Sequence, residues 1–231
     1  DFLHEYSLTR GAMEVTSSSV MNPFAGGGSN NLYRCFMDLS FRLTAPLGYA
    51  ALIHQDGHFG DPKAGSLRRH WYGRITKHFY FRNIMKNKMF AEVNHQTDFS
   101  MNIYRGVAGE IGFDQFTGAF LPSQVEESYA DSDGAGELPG NKNAEGNWDT
   151  RGHRDRIVRI DRKALTVIHA LSEESSVPVE KARFIQPFSN STLEVFKQLA
   201  SFPKVGTALV DKRNEPTWQM APHWHESGEQ K

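Results

Sequence analysis

Apolar residues at Leu32, Phe36, Leu39 and Leu43 recur at alternating spacings of four and three, the rhythm of one helix stripe. Arg34, Asp38 and Arg42 occupy the other side of that helix, and Pro46 and Gly48 end it. Tyr49 to Ile53 is a short continuous apolar run, which predicts a strand covered on both faces, as in a parallel sheet. Asp61 followed by Pro62 opens a second helix, with Asp61 as its cap and Pro62 in the first turn, where a missing N–H costs nothing. Leu67, Trp71 and Ile75 keep that helix on a core. Two strands follow, Ile75 to Phe81 and Asp98 to Tyr104, the second alternating Phe99, Met101 and Ile103 with Ser100, Asn102 and Tyr104. Helix, buried strand, helix, strand, strand predicts the back half of an α/β sheet that closes in an antiparallel hairpin.

Outside this stretch the pattern is weaker. Residues 1–29 predict a lead-in loop, marked by Ser17 to Ser19 and by Gly26, Gly27, Gly28 and Ser29. The glycine run lacks the Lys-Ser/Thr ending of a P-loop and the spacing of a dinucleotide turn. Residues 107–150 are rich in Gly, Asp, Ser, Asn and Glu and predict a long polar connector, above all Asp131 to Asn147. Residues 151–231 predict a mixed α+β segment. Ile157, Val158 and Ile160 suggest a strand, Asp161 caps a helix running to about Glu173, and Ser191 with Glu194 forms a capping-box pattern before Leu193, Phe196 and Leu199.

Composition narrows this picture only a little. The 26 basic residues nearly balance the 27 acidic ones, so only local patches can speak for a nucleic-acid partner. Cys35 is alone, so no intrachain disulfide is possible and a reducing cytoplasm is the simplest home. No apolar run approaches the roughly 20 residues that span a bilayer, so no membrane partner is expected. With no initiating Met and no closing helical pattern at Lys231, the chain reads as a piece of a longer protein.

Four pieces occur in a telling order: Asn31-Leu32-Tyr33, then Ala45-Pro46-Leu47-Gly48, then Leu52-Ile53-His54, then Phe90 through Thr97 with Ser100. In that order they resemble the adenine-specific DNA methyltransferases of the fused restriction–modification type. There an Asn-Leu-Tyr opens a helix ending in Lys-Pro-Gly-Gly, followed by an apolar strand, a polar loop, a helix and a hairpin with a Phe and a Thr/Ser-rich turn. The tail Trp224-His225-Glu226-Ser227 with Gln230 and Lys231 resembles a segment found after the catalytic domain. The resemblance implies a Rossmann-like methyltransferase sheet, of which residues 30–106 are the C-terminal part, leading after residue 151 towards a target-recognition domain. It also implies S-adenosylmethionine as cofactor and double-stranded DNA as partner, in a restriction–modification or phage-defence setting. The chain departs from the family in showing neither the glycine-rich cofactor strand–loop–helix nor the Asn-Pro-Pro-aromatic tetrapeptide. Asn22-Pro23-Phe24 is one Pro short and reads as loop. The cofactor site is therefore expected upstream, and this chain alone is not expected to methylate.

Methylating an adenine amine requires the base to leave the stack and rest against a flat side chain. Phe90 matches the position where the resemblance places that aromatic; the alternative is a core role like that of Phe79, Phe81 and Phe99. His54, Gln55 and Asp56 lie just past the carboxyl end of a strand, where open α/β sheets bind ligands, and are candidates to line the pocket. Arg151, Arg154, Arg156, Arg159 and Lys163 could track phosphates, although Asp149, Asp155 and Asp161 interleave with them and a salt-bridged face is the rival reading. No metal site is expected: His223, His225 and Glu226 are too close in sequence to converge on one ion, and no cysteine pairs accompany them. The rival function is a non-catalytic DNA-binding or specificity module that kept the sheet and lost the cofactor site.

Overall fold

The computed structural model describes residues 1–25, 31–84, 89–94 and 97–204. They form a mixed α/β fold with a five-stranded, mostly antiparallel open sheet and seven helices among the described residues. The helices are α1 (Phe2–Ser17), α2 (Leu32–Leu43), α3 (Gly57–Gly60), α4 (Gly65–Tyr72), α5 (Pro122–Ala130), α6 (Arg162–Ser172) and α7 (Asn190–Ala200). The strands are β1 (Tyr49–His54), β2 (Ile75–Phe81), β3 (Phe99–Arg105), β4 (Gly112–Ala119) and β5 (Val158–Asp161), in the order β1-β3-β2-β4-β5. Strand β3 lies antiparallel between β1 and β2, β4 runs parallel to β2, and β5 closes the other edge antiparallel to β4. None of the described helices is long and apolar enough to cross a membrane.

Local chemistry explains most element starts. The Asn31 side chain accepts from the Tyr33 N–H to open α2, and Asp61 caps a 3-10 turn, Pro62–Ala64, that leads directly into α4. Asp161 accepts from the Ala164 N–H at 2.8 Å and starts α6. Helix α7 begins earlier than its sequence pattern predicts: Ser189 is the cap, and the Ser191 hydroxyl donates instead to Asp155.

Two stretches are more ordered than expected. Residues 2–17 form α1 rather than a lead-in loop, a helix with no buried residue. The segment after it docks on α2, where the buried Asp38 carboxylate accepts from the Phe24 and Ala25 N–H groups at 2.6 and 3.0 Å. The expected polar connector of residues 107–150 contains β4 and α5, and β4 is an interior strand of the sheet. Its Gly-Phe-Asp-Gln-Phe-Thr-Gly-Ala sequence hides the strand because polar Asp114 and Thr117 are satisfied by partners distant in sequence, Lys77 and Arg159 for the first and Gln186 for the second. Residues 131–150 do form irregular surface structure, closed by a Lys142–Trp148 bridge.

The faces of two elements are the reverse of a simple apolar-inward reading. Helix α2 buries Arg34, Met37, Asp38 and Phe41, whereas Leu32, Phe36, Leu39 and Leu43 face out, Leu43 with 73% of its surface exposed. In β3 Ser100, Asn102 and Tyr104 are buried on the inner face, and on the opposite face Phe99 is buried while Met101 and Ile103 are more open. Strand β1 is an edge strand covered on one side only, with Ile53 53% exposed. The expectation of a strand buried on both faces therefore does not hold.

The main core sits on the inner face of the sheet. Met37 and Phe41 from α2, Leu67 and Trp71 from α4, Leu165 and Ile168 from α6, and Phe184 cover Tyr104, Ile75, Phe113, Val158 and Ile160. A second cluster, Phe81, Phe99, Phe116, Ala119, Val125 and Ile157, lies on the outer face beneath α5. The α2–β1 turn is clamped to the end of β3 by the Gly106 N–H donating to the Gly48 carbonyl at 3.0 Å. A Cβ at position 106 would lie 2.0 Å from the Ala45 carbonyl oxygen, which is backbone and has little room to yield. Gly106→Ala is therefore expected to destabilise the fold by at least about 2 kcal/mol, read as a lowered urea midpoint with an unchanged slope.

Candidate functional site

The sheet register assembles the site. His54 of β1 stands opposite Ser100 of β3, which stands opposite Tyr80 of β2; one step along, Leu52, Asn102 and His78 align, and His78 aligns with Gln115 of β4. Because side chains alternate across a strand, these residues share the inner face. The result is a polar row at the carboxyl ends of the parallel strands β1 and β2, laid against an aromatic core.

Asp56 is its centre. The loop after β1 turns the carboxylate back over the sheet, where Oδ1 accepts from the Ser100 hydroxyl at 2.5 Å and Oδ2 pairs with His78 Nε2 at 2.9 Å. The Gln186 amide approaches Oδ2 at 3.4 Å. Burial works against ionisation of Asp56, yet the neighbouring His78 and the hydroxyl of Ser100 outweigh it and hold the carboxyl below its ordinary range. The site therefore keeps a buried anion at neutral pH.

His54 continues the row. Its Nδ1 lies 2.9 Å from the Gln55 carbonyl oxygen, so that nitrogen carries the proton, and Nε2 accepts from the Tyr104 hydroxyl at 2.7 Å. Tyr104 in turn accepts from the Trp71 indole N–H at 3.1 Å, and the Asn102 amide contacts both His54 Nε2 and Ser100 Oγ. Burial lowers the pKa of His54 and lowers that of His58 further, while it raises that of the Tyr104 hydroxyl. His58, in α3, is wholly buried against Phe59 and Trp71, with Tyr33 OH 3.4 Å from its Nδ1.

A cleft of about 440 Å³ opens directly on this row, lined by Gln55, Asp56, Gly57, Phe59, Tyr80, Thr97, Asp98 and Gln186. The Tyr80 hydroxyl donates to Asp98 at 2.6 Å across its mouth. Two of the three pocket residues expected from the sequence, Gln55 and Asp56, line the cleft, and His54 lies behind them in the sheet. Phe90 is 38% exposed, meets Phe99 edge to face at 4.8 Å between centroids, and is fixed by backbone bonds to the Asn83 amide. It does not line the cleft walls.

The expected basic run divides into three groups. Arg154 and Lys163 are exposed. Arg151 is bound to Asp149 at 2.7 Å and Arg159 to Asp114 at 3.0 Å, so their charges are locally compensated. Arg156 leaves the run altogether: it is 1% exposed, with its guanidinium 4.3 Å from the Phe116 ring centre and 3.7 Å from that of Phe188. Burial pushes its pKa down to about 10, and it is a structural cation rather than a phosphate contact. The glycine run at 26–29 and the tail residues Trp218, His223, Trp224, His225 and Glu226 lie outside the described residues.

Sequence reasoning missed His58, His78, Ser100, Asn102, Tyr80, Asp98 and Gln186. The signal available for His58 was its closeness in sequence to His54 and Asp56, across the turn from β1 into α3. For His78, Ser100 and Asn102 it was polar residues at positions that strand pairing brings together. Gln186 had none, because it arrives from a segment distant in sequence. Comparison with protein families, with characterised proteins and with solved structures finds no match to this chain.

Tyr104→Phe removes the one hydroxyl shared by the Trp71 N–H and His54 Nε2 and leaves both without it in a buried setting. A loss of about 1–3 kcal/mol in stability is expected by urea denaturation. A loss below about 0.5 kcal/mol, within the usual range of a surface change, would show that the row does not depend on it.

Proposed function

We propose that this chain carries the later part of a DNA adenine methyltransferase, and that its polar cleft receives an adenine extruded from the duplex. The observation that carries the reading is an uncovered apolar surface on the same sheet that builds the cleft. The open face of β1, β3 and β2 presents Ala51, Ile53, Phe79, Met101 and Ile103 around a groove of about 280 Å³. Among the described residues the β1 edge is unpaired, and beside it α2 turns out Leu32, Phe36, Leu39 and Leu43. Edge strands of this character are normally covered, and apolar sheet faces are normally packed. A sheet that continues past β1, with a helical layer over its open face, satisfies both requirements. In this reading the described strands are the back half of a Rossmann-like sheet closing in an antiparallel hairpin.

The cleft suits the ligand. An adenine presents a two-proton exocyclic amine beside acceptor ring nitrogens. Asp56 and Asp98 offer carboxylate acceptors, Gln55 and Gln186 offer amides, and Phe59 offers an aromatic wall. Polar contacts to the amine protons align its lone pair for methylation without a strong base. Ser100, His78 and Gln186 orient Asp56 for that contact. S-adenosylmethionine supplies the methyl group in such enzymes. Among the described residues there is no glycine-rich strand–loop–helix fitted to hold it, so no step is derived through it. The partner in this reading is double-stranded DNA, in a cytoplasmic restriction–modification or phage-defence setting. Of the basic run, Arg154 and Lys163 are the exposed residues free to meet phosphates.

The test is titration with a duplex carrying 2-aminopurine opposite a mismatch, where extrusion costs least. Binding with a rise in fluorescence is expected. Replacing Arg154 and Lys163 together by Ala should weaken binding and reduce the salt slope by about two, whereas Arg156→Ala should act mainly by lowering thermal stability. Binding without any fluorescence change would support a non-catalytic DNA-binding module, and absence of binding would refute a DNA partner.

A further inference from the structure

The residues around Asp56, behind the cleft wall, suggest a second chemistry. His54, Asp56 and His58 each offer one ligand atom, and these atoms lie within 4.8 Å of one another. His54 Nδ1 and Asp56 Oδ1 are 4.0 Å apart, and the Gln55 carbonyl oxygen is 2.9 Å from the same His54 nitrogen. The three side chains come from the end of β1, the following loop and the first turn of α3, so rigid elements flank the group on both sides.

Several buried atoms here have no hydrogen-bond partner. They are His58 Nε2, His78 Nδ1 and Asn102 Oδ1. Orphaned polar atoms are rare in folded interiors, and three around one carboxylate call for an explanation. We propose that His54, Asp56 and His58 form a binding site for one divalent transition-metal ion of the zinc class, with the Gln55 carbonyl as a fourth donor.

Two imidazoles and a carboxylate are the donor set that such ions take. Closing the ligands to bonding range of an ion, with donors about 2 Å away, requires each to move by about 1 Å or less. Binding through His54 Nδ1 shifts that ring's proton to Nε2. The shift places an N–H against the Tyr104 oxygen. That is the outer hydrogen bond a metal-bound histidine uses to fix its ring. A bond to the ion gives His58, whose Nε2 has no hydrogen-bond partner, a use for its lone pair. Asp56 already has its outer partners in Ser100 and His78. Because His58 is wholly buried while Asp56 lines the cleft, the cleft is the route by which the ion enters.

The test is titration of the chelator-treated chain with cobalt(II) chloride, followed by its visible absorption, then competition with zinc chloride. His223→Ala and His225→Ala are carried throughout to silence the tail histidines. One equivalent of cobalt with a visible band, displaced by one equivalent of zinc, is expected, together with a rise in Tm on zinc binding. Asp56→Asn and His54→Gln should each weaken cobalt binding at least ten-fold while keeping the native circular dichroism. These two variants are chosen because loss of the fully buried His58 could unfold the chain. No stoichiometric binding by the parent chain would overturn the proposal. Native affinity in both folded variants would also do so, because the ion would then lie elsewhere.

Discussion

A buried carboxylate is the constraint around which this fold is arranged. Asp56 lies inside the protein at the end of β1, and a charge placed there costs several kcal/mol unless partners surround it. Those partners come from every part of the chain: Ser100 from β3, His78 from β2 and Gln186 from the segment before α7. Their convergence fixes the order of the strands, since Ser100 and His78 reach Asp56 only if β3 lies between β1 and β2. The polar row that results is the one part of the inner sheet face not given over to aromatic and aliphatic packing. It opens on the cleft, so the same interaction sets both the fold and the candidate function.

The opposite side of the sheet shows the complementary problem. Ile53 of β1 and Met101 of β3 are open on that face, and Leu32, Phe36 and Leu39 of α2 line a half-open groove beside Val15 and Met21, while the inner face is densely filled. Each such residue forgoes the roughly 25 cal/mol per Å² that burial brings. Beside an unpaired strand edge this surface has the character of an interior interface rather than of a water-facing one. A sheet extended past β1, as the proposed methyltransferase reading supposes, would cover it and would set the cleft at the carboxyl ends of parallel strands. The buried histidines add a feature that base recognition alone does not need, which is why metal binding stands as a separate inference.

Elements set by local chemistry were legible in the sequence. The Asn31 and Asp61 caps, the Pro46–Gly48 stop and the helix after Asp161 all follow from residues within a turn of each other, and β2 and β3 from their own apolar alternation. The faces were not legible. Apolar periodicity located α2 and β3 correctly but assigned the apolar stripe inward, because the rule assumes that every interface is filled by the chain in view. Strand β4 escaped notice for a different reason. Its polar residues are satisfied by Lys77, Arg159 and Gln186, contacts that no local window contains. At the site, Gln55 and Asp56 were recognisable from their place after a buried-looking strand, whereas His78, Ser100 and Gln186 depended on strand register and chain return. Arg156 shows the limit of charge counting, since it sits in a basic run and yet is held between Phe116 and Phe188.

The account stands most directly on where an extruded adenine goes. Photo-crosslinking of a duplex carrying 8-azidoadenine, with the adducts mapped by mass spectrometry, answers that question without requiring turnover. Adducts at Gln55, Asp56, Gly57, Phe59 or Tyr80 are the predicted result, since these residues line the cleft. Adducts confined to residues 151–163, with none in the cleft, would contradict the account and leave the chain as a protein that touches DNA only from outside.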